Sequence, residues 1–250
     1  MCNKSYCCPS VKTISKRIIY INFHNFSLNT MLSDKKIVVK KQAYLINDEI
    51  ADKIRQKMKK KNKLFFNIMG SIGAGKTLLL ENLAERLSKF YKVFVINGDV
   101  ATTIDADRIA KHGVTTVQIN TGGGCHLSAK LIQNELDKIN VDEFDIFFAE
   151  NVGNLICPAA WDIGAQLNVV VVSITEGEYV IKKHPIIFKN GQIAIINKCD
   201  LDGLGFDSET LVEDATKIKS NMKIICTSAK TGQGIDEFIE ALGIKIPKEV

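Results

Sequence analysis

The chain has 250 residues, 46% apolar and 24% charged, the balance of a globular protein with a full-sized core. Its formal charge of +5 is concentrated at one end: residues 1–30 hold Lys4, Lys12, Lys16 and Arg17 and no acid, which leaves +1 for the rest and no broad basic face for nucleic acid. No apolar run approaches the about 20 residues a membrane-spanning helix needs, and seven widely spaced cysteines, an odd number, do not read as a secreted disulfide framework.

A reducing cytoplasm is therefore the expected setting, with no nucleic-acid or membrane partner. Residues 1–40 read as an N-terminal tail, with Met31 an alternative start. The apolar patch from Ile18 to Phe26 is broken by Asn22, His24 and Asn25 and makes a poor signal peptide. Residues 41–63 read as an amphipathic helix and a basic linker. Ala43, Ile46, Ile50, Ile54 and Met58 recur at helical spacing, and the lysine run "KKKNK" closes the segment.

From residue 64 to 250, apolar runs alternate with helical patterns. The runs are "LFFNIM", "KVFVIN", "TTVQIN", "FDIFFAE", "NVVVVSI", "QIAIIN" and "KIICTS". Near-continuous Val, Ile and Phe suit strands buried on both faces, and regular alternation with helices predicts an α/β fold with a doubly wound, mainly parallel sheet.

Between the first run and the first helix lies "GSIGAGKT", comprising Gly70, Ser71, Ile72, Gly73, Ala74, Gly75, Lys76 and Thr77. The spacing G-x-x-x-x-G-K-[ST] in a strand–helix context marks a P-loop NTPase. Glycines let backbone N–H groups turn toward phosphate oxygens, Lys76 brings a point charge to the β- and γ-phosphates, and the Thr77 hydroxyl can ligate Mg²⁺.

Two later tetrapeptides follow strands. "NKCD" spans Asn197, Lys198, Cys199 and Asp200, and "TSAK" contains Ser228, Ala229 and Lys230. A carboxylate at Asp200 can accept two hydrogen bonds from a guanine edge, and adenine would leave it facing an acceptor. GTP and GDP are thus the expected nucleotides, which argues against a metabolic kinase. In "AENVG", Glu150 and Gly153 suit a metal-facing carboxylate and a γ-phosphate sensor. No glutamine stands out to position water, so slow hydrolysis is expected.

"GGGCHLSAKL" sets Cys125 beside His126 at a predicted helix start, and "NLICPAAWD" places Cys157 four residues beyond Gly153. In a reducing compartment, thiolate plus imidazole favours Zn²⁺ or Ni²⁺. Adjacent side chains are expected to diverge, and three donors leave a tetrahedral ion short, so a second copy related by a two-fold axis would have to complete the site. A helix-start thiolate beside an exposed imidazole is the competing reading, and a GTPase without a metal role its functional counterpart. Cys199 and Cys226 read as buried, inert thiols.

With these motifs in order, including "NGDVATTIDADR" and "TEGEYVIKKHP", residues 41–245 resemble the HypB GTPases of hydrogenase maturation, which help deliver nickel to [NiFe] hydrogenase. The resemblance implies a SIMIBI-like G domain, with Lys76, Asp105 and Glu150 in catalysis. Thr77, Asp105 and Glu150 would surround Mg²⁺, and Asp200 would select guanine. It further implies that Cys125, His126 and Cys157 bind Ni²⁺ or Zn²⁺ at a GTP-promoted homodimer interface. Partners of that family are a HypA-type nickel chaperone and the hydrogenase large subunit. Two departures stand out: Lys130 replaces a second histidine found in some relatives, and Cys2, Cys7 and Cys8 do not reproduce the N-terminal C-x-x-C-G-C motif of others.

Overall fold

The computed structural model describes the backbone of residues 26–98 and 104–247, and the side chains of residues 41–98 and 106–247. The chain divides into a segment, Met1–Gln42, and a compact unit, Ala43–Val250. Expectations that rest on Cys2, Cys7, Cys8 and the apolar patch up to Asn25 lie outside the described residues.

The elements run α1 (Phe26–Lys60), β1 (Leu64–Gly70), α2 (Lys76–Leu87), β2 (Val93–Asn97), α3 (Ile104–Ala110), β3 (Thr115–Gln118) and α4 (Ala129–Leu136). They continue with β4 (Ile146–Glu150), β5 (Leu167–Ser173), α5 (Val180–Lys183), α6 (Pro185–Asn190), β6 (Ile193–Asn197), α7 (Ser208–Ile218), β7 (Lys223–Cys226) and α8 (Ile235–Ala241). Every apolar run named above overlaps one of these strands, and no strand reaches more than one residue beyond its run. Among the described residues the seven strands form one sheet in the order β3-β2-β4-β1-β5-β6-β7. All six pairings are parallel, so the "mainly parallel" expectation becomes fully parallel.

Period-two alternation sends neighbouring aromatics to opposite faces. Phe66 and Phe148 pack with Leu79, Leu83 and Phe238 of α2 and α8. Phe65 and Phe147 pack with Ile54, Met58 and Ile132 of α1 and α4. Farther along the sheet, Val170 and Ala194 meet Phe188 of α6 and Leu211 of α7. Each of the largest of these side chains contributes about 1.5–3 kcal/mol by leaving water. Because every strand is parallel, all carboxyl ends emerge on one edge, where the candidate motifs gather.

Helix α1 departs from expectation in two ways. It begins at Phe26, well upstream of the predicted residue 41. Its buried stripe also rotates: Ala51, Ile54 and Met58 are in the core together with Asn47, which is 4% exposed, while Ile46 is 59% exposed. Counting apolar residues alone could not choose between two overlapping stripes. The choice falls on the one carrying Asn47, because both ends of its amide are bonded: Nδ2 donates to the Asp162 carbonyl at 2.8 Å, and Oδ1 accepts from the Ala129 N–H at 2.9 Å.

Candidate functional site

The phosphate loop joins β1 to α2. Gly75 has φ +95°, and a Cβ there would lie 2.3 Å from Nδ2 of Asn197, so no larger residue fits. The Lys76 ammonium is buried and donates to the carbonyls of Ser71 at 2.9 Å and Gly70 at 3.3 Å. The Thr77 hydroxyl donates to Oε1 of Glu150 at 2.8 Å. Glu150 is buried at the end of β4, in register with Ile68 and Asn97. Gly73, Gly75, Lys76, Thr77, Glu150 and Gly153 line a cavity of about 340 Å³ here. A hydroxyl and a carboxylate held together beside a buried ammonium fit Mg²⁺ and a polyphosphate.

The loops that follow β6 and β7 are joined through Asn197. Its Nδ2 donates to the Ala74 carbonyl at 2.8 Å, and its Oδ1 accepts from the Ala229 N–H and the Thr227 hydroxyl, both at 3.1 Å. One buried amide thus fastens the phosphate loop to the "TSAK" loop. Oδ1 of Asp200 accepts from the Ser228 hydroxyl at 2.7 Å, which orients the carboxylate. Lys198 has φ +67°, and its ammonium donates to Oγ1 of Thr175 at 3.4 Å. Cys199 and Cys226 are half-buried rather than fully buried as expected, and the Cys199 thiol donates to the Ile196 carbonyl at 3.1 Å. Interaction with Cys199 brings Cys226 down to about 7, and the reciprocal interaction with burial pushes Cys199 up.

The third group is Cys125, His126 and Cys157. One donor atom from each lies within 4.8 Å of the others, and Sγ of Cys125 is 3.6 Å from Nδ1 of His126. The expected divergence of adjacent side chains therefore does not occur. Nor do these residues start the helix: α4 is capped by Ser128, which accepts from the Leu131 N–H, and Cys125 and His126 precede that cap. Both thiols are free. Burial holds His126 below the ordinary imidazole value, a shift in favour of the neutral form that ligates a metal. Contact with Cys125, then burial, raises the Cys157 thiol. Two thiols and a neutral imidazole at this separation fit Zn²⁺ or Ni²⁺. Lys130 instead donates to Gln133 at 3.2 Å on the surface of α4.

Three asparagines that sequence reasoning missed hold these groups. Buried Asn151 accepts from the N–H groups of Leu127 and Val152, both at 3.0 Å, and donates to Asn67 of β1 at 3.2 Å. Asn154 accepts from the N–H groups of Ile156 at 2.6 Å and Cys157 at 3.2 Å, an Asx-type turn that presents the thiol. Asn47, on α1, clamps the backbones beyond both arms. The available signal was an amide interrupting an apolar run, as at Asn67. The ring of Trp161, also missed, stacks on His126.

Gly153 lies against the phosphate loop, where a Cβ would be 2.5 Å from Cγ1 of Ile72. Asn154 N–H donates to the Gly70 carbonyl at 2.9 Å. Asp105 is in the first turn of α3, but its side chain lies outside the described residues, as does all of Asp99.

A parallel sheet with a lysine-bearing phosphate loop between its first strand and the following helix defines a P-loop NTPase domain. Residues 64–226 match the family described as CobW/HypB/UreG, nucleotide-binding domain. The chain is 44% identical over 205 residues to the probable hydrogenase maturation factor HypB of Methanocaldococcus jannaschii, covering 82% of this chain and 92% of that protein. The crystal structure of the HypB protein from Archaeoglobus fulgidus superposes with a TM-score of 0.75 at 40% identity, over 80% of this chain and 98% of that one. HypB from Helicobacter pylori, solved in complex with nickel, gives 0.74 at 36% identity, over 78% and 93%. The chain belongs to the HypB family of hydrogenase maturation factors.

Proposed function

We propose that this protein is a GTP-binding and GTP-hydrolysing metallochaperone that carries nickel toward [NiFe] hydrogenase as a nucleotide-regulated homodimer. Nickel is its cargo, and Zn²⁺ competes for the same three donors. The phosphate loop, with Ser71, Ile72 and Ala74 contributing backbone groups and Lys76 its charge, holds the β- and γ-phosphates. Thr77, Glu150 and Asp105 hold Mg²⁺, which neutralises charge developing on the transferred phosphoryl group. Asp200, oriented by Ser228, selects guanine, with Lys198, Ala229 and Lys230 flanking the base. The fourth metal ligand comes from the second copy. The protein acts in the cytoplasm beside a HypA-type nickel chaperone and the hydrogenase large subunit.

One observation supports the coupling of nucleotide to metal. Gly153 touches the phosphate loop, and Asn154 bonds to Gly70 on one side and to the Cys157 N–H on the other. A shift at the γ-phosphate therefore displaces a metal ligand a few residues away. The test is native mass spectrometry of the untagged protein with Ni²⁺ or Zn²⁺, in GDP and in a nonhydrolysable GTP analogue, beside Cys125→Ala. A dimer that gains metal with the analogue and loses it in the variant is the expected result. Equal metal affinity with both nucleotides would overturn the coupling, because equal affinity for two states shifts neither.

A further inference from the structure

Among the described residues, no carboxylate or carbonyl accepts a hydrogen bond from the imidazole of His126. A ligating histidine ordinarily donates its second N–H to a carboxylate or carbonyl, which fixes the ring. Among the described residues the contacts of the His126 ring are Sγ of Cys125 at 3.6 Å and the indole of Trp161. The two rings are stacked, with centroids 4.5 Å apart and planes 22° from parallel. On its other side Trp161 meets Tyr44 of α1, centroid to centroid 4.8 Å at 44°.

Chain connectivity gives this stack its meaning. Trp161 ends the short helical turn Cys157–Ala160 that begins with the third ligand. The loop that delivers Cys157 therefore also delivers the surface on which His126 rests, and the two arms of the site interlock. Asn47 fixes both arms by backbone bonds just beyond them, to Asp162 and to Ala129. Arg55, one helical stretch further along α1, pairs with the Asp162 carboxylate. A ring held this way loses little freedom when a metal arrives.

The stack also discriminates between loaded and empty states. An indole face is electron-rich, and an imidazole bound to a divalent cation is electron-poor. Their attraction grows on coordination as a cation–π contact does. We propose that Trp161 is a positioning residue for His126, its indole both aiming the imidazole at Cys125 and Cys157 and strengthening metal binding once the ring is coordinated. This rests on the metal reading above. It adds that the arm carrying Cys157 acts on the metal twice, through its thiol and through its indole.

Trp161 is the single tryptophan of the chain, so its fluorescence reports on the site directly. The experiment is a Ni²⁺ titration of the full-length, reduced protein with GTP analogue, following indole emission and the thiolate-to-nickel charge-transfer absorption together. Wild type, Cys125→Ala, Trp161→Phe and Trp161→Leu run in parallel, with circular dichroism as the folding control. In wild type, emission falls and the absorption band rises with one common midpoint, and both changes vanish in Cys125→Ala. Trp161→Leu weakens Ni²⁺ binding about 3- to 30-fold while keeping the band, and Trp161→Phe restores most of the loss. Wild-type affinity in folded Trp161→Leu overturns this inference alone. So does wild-type emission that ignores Ni²⁺ while the band forms, a result that needs no folded variant. Absence of any band in wild type overturns the metal reading, and this inference with it.

Discussion

The nucleotide cradle and the thiol site lie on the same edge of the sheet but are built on different principles. The cradle grows from strand ends. Gly70 closes β1, Glu150 closes β4 and Asn197 closes β6, so parallel pairing alone aligns its parts. The thiol site has no regular element of its own: Cys125 and His126 precede α4, and Cys157 opens a short turn between β4 and β5. It is assembled by amides that reach across loops, from Asn47, Asn151 and Asn154. A phosphate site of this kind is rigid because the sheet is, whereas the thiol site depends on the amides that clamp its loops. On the function proposed above, that arrangement suits a cargo that must be released.

The sharpest way to separate the two regions is Lys76→Ala. Removing the charge aimed at the phosphates is expected to lower GTP hydrolysis about 100-fold or more, as read by phosphate release. Nickel affinity of the nucleotide-free variant stays within about twofold of wild type, since surface-to-site repacking away from the change is small. A large drop in that affinity would show that the two regions are not separable.

Asp200→Asn probes the base end. The reversed hydrogen-bond pattern is expected to move preference from GTP toward XTP by about 100-fold. Competition binding measures it, and unchanged GTP selectivity would remove Asp200 from the role.

Asn151→Ala strikes the clamp. It leaves the buried N–H groups of Leu127 and Val152 without their shared acceptor. The expected cost is about 1–3 kcal/mol in urea unfolding, with nickel affinity about tenfold weaker and GDP affinity little changed. Were GDP binding to suffer more than nickel binding, the division drawn above would be wrong.

The smallest effect contrasts the two cysteine pairs. Cys226 is held at about 7 by its interaction with Cys199, so alkylation of Cys226 rises with pH around that midpoint as the thiolate forms. In Cys199→Ala the midpoint climbs toward the ordinary thiol value. Peptide mass spectrometry after brief iodoacetamide exposure reads both, and identical midpoints in the two proteins would remove Cys199 as the cause.

Most of the cradle was legible in the chain because its chemistry is local. "GSIGAGKT" carries its glycines, lysine and threonine in consecutive positions, and "NKCD" and "TSAK" each follow an apolar run. Asn197 was visible as part of a motif, yet its structural duty, tying Ala74 to Ala229, was not. On α1 the apolar count chose Ile46 for the core, and the fold chose Asn47. Hydrophobic periodicity cannot register a polar residue whose amide is satisfied by backbone groups elsewhere.

The amino-acid sequence by itself determined the parallel sheet, the phosphate loop and the side of the sheet where ligands gather. Long apolar strands, glycines at fixed spacing and a lysine in the first helical turn leave few other solutions. Only the tertiary structure decided that Cys125, His126 and Cys157 converge, and that Trp161 lies against the imidazole. The reason is distance along the chain. The bond from Asn47 to Asp162 joins residues 115 positions apart, and such a contact has no spacing, period or local propensity to announce it. It exists only once α1 is packed on the sheet and two loops are brought within reach of one amide.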